Sequence, residues 1–168
     1  PKLFAPAPIW AARGGRIATN VRAEYVVDLY EASRVVASVR RDLAPRPATQ
    51  ALARREFDEG GWRIGILGAP GGGCTVPVDE VIAEQGVADV IPTIGEIAIA
   101  PDGTLWVRRR VSKGEEAPID IISPDGAYLG TLPPGTPFPS DFLPDGRIAV
   151  LEQDELEVQY VVVYRVGT

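Results

Sequence analysis

Short runs in which apolar and polar positions alternate recur along this chain, separated by Gly, Pro and Asp, and that period of two predicts strands. The first runs are Ile9 to Arg13 and Arg16 to Val21, joined by Gly14-Gly15, then Glu24 to Tyr30 and Arg34 to Arg40, all rich in β-branched or aromatic residues. A second group covers Glu96 to Ala100, Thr104 to Arg109, Pro118 to Ile122 and Ala127 to Leu132. A third holds Ser140 to Leu143, Arg147 to Glu152 and Val158 to Arg165, and stops one strand short. Residues 42–93 break the pattern. They hold one strand-like run, Trp62 to Leu67, and helix-like stretches at Ala48 to Phe57 and Val78 to Gln85, and read as an insertion.

Tight turns join the strands. Pro-Asp-Gly occurs at 101–103, 124–126 and 144–146, where Pro presets φ at the second turn position and Gly accepts a positive φ. Gly103 and Gly146 are 43 residues apart, a spacing typical of one propeller blade. The expected fold is therefore all-β: a β-propeller-like array of four-stranded antiparallel meanders, about three blades of an incomplete ring, with a loop and short-helix insertion. The blades are expected at 1–44 and 94–133, with the insertion at 45–93 and an incomplete blade at 134–168. Ending on a third strand fits the C-terminal end of such a ring, and the start at Pro1 without any Met suggests a processed chain or a piece of a longer one. Three blades cannot close a ring, so a chain working alone is not expected. A missing segment or a larger complex ranks ahead of a second copy as the cover, and a homo-oligomer stays open.

Composition mostly excludes functions. The net charge is −6 and the basic residues are scattered, which disfavours nucleic acid as a partner. No apolar run is long enough to cross a bilayer as a helix. There is no His, so a Ser-His-Asp triad and His-ligated metals are excluded within these residues, and one Cys with no Met leaves no sulfur-rich metal site. No catalytic residue, cofactor site or metal site is assigned.

The runs Val90 to Arg108 and Ile119 to Gly130 resemble the bacterial six-bladed β-propeller proteins related to the NHL-repeat group, and Glu24 to Tyr30 leading to Arg40-Arg-Asp-Leu-Ala-Pro45 is similar to another blade of that family. The turn Glu31-Ala-Ser33 departs from its usual Asp-Gly. The resemblance implies a binding scaffold, sensor or, less commonly, an enzyme. Two functions follow: a non-catalytic binding or assembly module in a larger extracytoplasmic complex, or half of a calcium-dependent propeller hydrolase of lactonase or strictosidine-synthase type. For the second, the inner strands offer only Glu96 and Asp141.

In a four-stranded meander the first and third turns lie on one face, and the middle loop and the connector lie on the other. The opposite face thus collects the insertion, the Val111 to Ala117 loop, the Pro133 to Pro139 connector and the acidic loop 152–157, and long loops on a rigid scaffold are where binding resides. Arg109, Arg110, Lys113, Glu115, Glu116, Glu152, Asp154 and Glu155 are the candidate partner-binding residues there. Trp106, Trp10 and Phe142 are expected to pack between blades. The stretch Gly68 to Thr75 has the spacing of a phosphate loop, but Cys74 stands where the phosphate-binding lysine belongs, and the surrounding βαβ units are absent, so a flexible Gly-rich loop is expected. ATP with magnesium should accordingly leave the melting temperature unchanged, and a saturable rise would refute that reading.

Overall fold

The computed structural model describes residues 1–57, 62–65 and 73–165. Nearly half of these are in strands of antiparallel sheets, none of them closed. Sheet I is the meander β1 (Ile9–Arg13), β2 (Arg16–Asn20), β3 (Val26–Glu31) and β4 (Arg34–Arg40), each strand beside its sequence neighbour. A short strand β5 (Arg46–Pro47), helix α1 (Gln50–Phe57), strands β6 (Trp62–Gly65) and β7 (Gly73–Val76), helix α2 (Val78–Gln85) and strand β8 (Val90–Ile91) follow. Sheet II is β9 (Ile94–Ile99), β10 (Leu105–Arg109), β11 (Ile119–Ile122) and β12 (Tyr128–Leu132), and sheet III is β13 (Asp141–Phe142), β14 (Arg147–Gln153) and β15 (Gln159–Arg165). Residues 94–132 thus form one four-stranded antiparallel sheet, and both its outer hairpins turn on Pro-Asp-Gly as the sequence predicts.

Alternation decides which residues meet. Ala18, Val27, Leu29 and Val39 of sheet I face Ile97, Ile99, Leu105, Val107 and Ile122 of sheet II, with Tyr25 and Ile94 closing this principal core. The other face of sheet II, through Ala98, Trp106, Ile119, Ile121 and Leu132, packs on Phe138, which precedes sheet III, and on Phe142 of β13. Trp106 meets the Phe142 ring edge-on, centroids 5.7 Å apart, so these two aromatics do fill an inter-sheet core. Trp10 does not. It is 67% exposed, because it points from β1 to the side of sheet I away from sheet II, where no described element covers it.

The short turns of sheet II rest on sheet I. The Arg16 guanidinium donates to the Pro124 carbonyl at 2.9 Å, and a Cβ on Gly126 would stand 3.2 Å from Val39 Cγ2, at a φ of +94° that already favours glycine. At the long-loop end, Thr93 stitches the same sheets together: its N–H donates to the Ala23 carbonyl at 2.8 Å, and its own carbonyl accepts from Arg110 N–H at 2.9 Å.

The insertion has its own small core. Ala53 of α1, Val78, Val81 and Ile82 of α2 and Ile91 of β8 close around Leu3 and Phe4, so the first residues of the chain belong to the insertion and not to sheet I as the sequence suggested. Strand β5 pairs with β8 at the base of this unit, a pairing too short to show as a pattern in the sequence. Strand β7 pairs with β6 and sets Cys74 opposite Ile64, so Gly73, Cys74 and Thr75 are in a strand and not in the expected loop; residues 66–72 of that stretch lie outside the described residues. No helix among the described residues is long and apolar enough to cross a membrane.

The β3–β4 hairpin closes on Ala32 and Ser33, both left-handed with φ of 45° and 65°. A two-residue hairpin loop of this hand is the one Asn-Gly fits, and Cβ crowding penalises Ala and Ser there. The double variant Ala32→Asn, Ser33→Gly should therefore be more stable by about 1 kcal/mol in urea unfolding. An unchanged or lower midpoint would show that the turn carries no strain.

Candidate partner-binding groove

At the long-loop end, between sheets II and III, lies an open groove of about 880 Å³. Its floor is Glu96 and Arg108 of sheet II with Val150, Glu152 and Tyr164 of sheet III, and its rims are the 110–117 loop, the 135–139 connector and Glu56 of α1. Arg109, Arg110, Lys113, Glu115, Glu116 and Glu152 of the sequence candidates all line it. Asp154 and Glu155 do not. Asp154 instead shapes its own hairpin, its Oδ1 accepting from the N–H groups of Leu156 at 2.8 Å and Val158 at 2.9 Å, while Glu155 stands exposed at the tip.

Most charges in the groove are engaged with one another. Arg108 pairs with Glu96 on the adjacent strand and lies over the Phe138 ring at 5.1 Å, and burial pulls its affinity for a proton down. Glu152 accepts from Tyr160 at 3.2 Å and from Tyr164. Tyr164 is raised above the usual tyrosine range mainly by that carboxylate, and Tyr160 by burial first and then by the same neighbour. Glu115 accepts from Ser112 N–H at 3.1 Å, and its Oε2 lies 3.9 Å from Arg46. Glu116 packs on Gly135, whose φ of +80° and lack of Cβ admit the carboxylate. Both oxygens of Glu56 accept from Lys113 N–H at 3.0 Å, and Arg110 sits over the Phe4 ring at 5.7 Å. The insertion is thereby fastened to the rim.

Arg109 has a second task below the groove. Its Nε and NH2 donate to Asp120 at 2.9 and 2.7 Å, and Asp120, wholly buried, also accepts from Thr131 Oγ1 at 2.5 Å. Arg41, at the exit of sheet I, brings its NH1 to 2.6 Å from the same carboxylate without an aligned hydrogen bond, and lies 4.0 Å over the Tyr128 ring. Burial pushes the Asp120 carboxyl up, but the hydrogen bonds from Arg109 and Thr131, with the Arg41 guanidinium and the Tyr25 hydroxyl beside it, outweigh that and hold it below the usual carboxylate range. Tyr25 is correspondingly raised, by burial first and by Asp120 second. Arg108 and Arg109 thus pair with carboxylates of their own sheet, while Arg41 reaches Asp120 from sheet I.

A smaller cleft of about 200 Å³ lies where β1, β9 and β13 approach one another, lined by Ala11, Arg13, Ile97, Ile99 and Asp141. Arg13 pairs with Asp141 across it and lies 5.7 Å from the centre of the Phe142 ring.

The chain matches no protein-family model, and comparison with curated proteins and with solved structures finds no match.

Sequence reasoning missed Asp120, Arg41 and Asn20. Asp120 reads as the polar half of an alternating strand, and only its inward register at the junction of sheets I and II makes it a buried charge. Asn20, also buried, donates to the carbonyls of Glu24 at 3.1 Å and Val26 at 2.7 Å and so holds the wide β2–β3 loop.

Replacing Asp120 with Asn leaves the partly buried Arg41 and Arg109 guanidinium groups without their counter-charge and should cost about 3 kcal/mol in urea unfolding. Because the folded carboxyl titrates below its unfolded value of about 4, the unfolded chain binds more protons in that window. Asp120 therefore stabilises above about pH 4, and that contribution is lost as the pH falls through the folded value. Asp120→Asn should lack this part of the acid slope; an identical slope in the variant would contradict the assignment.

Proposed function

We propose that the chain is a non-catalytic binding and assembly module of β-propeller type, an accessory part of a larger extracytoplasmic complex, and that a protein partner docks in the groove between sheets II and III. The observation that carries this reading is the groove itself: loops from three distant stretches of the chain converge on a rigid sheet floor and leave a wide, open, mixed-charge surface. The propeller part rests on the order of the sheets. Sheets I and II pack face to face, the far face of II meets III, and the first strands β1, β9 and β13 line one cleft, as inner strands around an axis do. Glu96 and Asp141, on which the calcium-dependent hydrolase reading relies, are each held by an arginine, which favours the binding module.

A photo-cross-linking residue at Lys113 on the groove rim, compared with one at Asp125 on the short-turn face, tests the docking site in extracts of the native cell. Lys113 should yield one discrete conjugate with another protein and Asp125 none. Equal labelling from both, or none from Lys113, would count against the groove.

A further inference from the structure

Strand β15 is the outer edge of sheet III, which has three strands where sheets I and II have four. No described strand pairs with its free side, so its outward N–H and C=O groups form a template for another strand. On the face of sheet III opposite Tyr160 and Tyr164, Val161 and Val163 are 64% and 45% exposed, and Leu151, paired with Val161 on β14, is exposed beside them. Edges that must stay single are usually blunted with charge, Pro or a bulge. Between Gln159 and Arg165 the run Tyr-Val-Val-Val-Tyr carries none of these, and the pairing of β15 with β14 is regular throughout.

The sequence of this edge is symmetric about Val162. Reversed, Tyr160 falls on Tyr164 and Val161 on Val163, with Val162 on itself. We propose that β15 is a self-recognition edge, pairing antiparallel with β15 of a second copy about a two-fold axis at Val162. Residues directly opposite in an antiparallel pair share a face. Tyr160 of each copy then meets Tyr164 of the other on one face, and Val161 meets Val163 on the opposite face, where both valines and Leu151 gain cover. The ends complement each other as well. The strand enters from the acidic loop holding Asp154, Glu155 and Glu157 and leaves at Arg165, so antiparallel pairing sets the basic end of one copy beside the acidic end of its partner, and both ends are satisfied at once by the symmetry. The orientation agrees with that of the fourth strands β4 and β12, which run antiparallel to their own third strands. The pairing borders the docking groove at Tyr164 but is argued from the strand edge and does not rest on the groove.

Sedimentation equilibrium over a concentration series tests this, with the purified chain expected to rise to twice its 18.0 kDa mass. The double variant Val161→Lys, Val163→Lys changes only exposed positions and should stay at the single-chain mass with an unaltered circular dichroism spectrum, whereas Trp10→Lys on the free flank of sheet I should dimerise as the parent does. Register is read separately in a Cys74→Ser background. A mixture of Gln159→Cys and Arg165→Cys chains should form an intermolecular disulfide on mild oxidation, and Gln159→Cys alone should not. A single-chain mass at every concentration would assign the edge to a different polypeptide and overturn the proposal, as would dimers indifferent to the lysines or disulfides formed as readily by Gln159→Cys alone.

Discussion

The structure turns on one buried carboxylate. Asp120 draws Arg109 and Thr131 from its own sheet and Arg41 from the preceding one, so the two largest sheets are fixed by a charge that neither could leave unpaired. Apolar faces alone slide over one another at little cost, since burial has no direction. A carboxylate with a bidentate arginine does have direction. With Arg41 stacked on Tyr128, the exit of sheet I is held at one place on sheet II, and the insertion departs from there.

Two further contacts repeat this division of labour at other heights. Arg16 reaches the Pro124 turn at the short-loop end, and Thr93 bonds across at the long-loop end. The principal core between them needs only the period-two alternation of Val, Ile and Leu, which sets which face is inward but not the offset between sheets. Arg13 and Asp141 play the corresponding part between the first and third sheets, at the cleft where their leading strands approach.

What was legible in the sequence follows from that distinction. The strands of all three sheets and both helices are readable because their period and turn chemistry are local: Pro-Asp-Gly declares a hairpin wherever the rest of the chain goes. Six of the eight candidate site residues line one groove, since meander topology alone decides which loops share an end. Long-range choices were illegible. Nothing in Leu3 and Phe4 says that they join a core built from residues 53–91, and nothing in Trp10 says that its side of the sheet has no neighbour. Asp154 misled for a related reason, because a carboxylate serving its own turn has the same letter as one serving a partner.

The Glu56 contact joins two parts of the molecule that fold around different cores. Its carboxylate caps the Lys113 amide from a helix whose own support comes from α2, Leu3 and Phe4, while Arg110 leans on that same Phe4 ring. The rim of the groove therefore inherits its rigidity from the smaller core rather than from the sheets beneath it. Loosening the first few residues would soften one lip while the floor stayed firm, so the shape offered to an incoming chain is governed from the far end of the sequence.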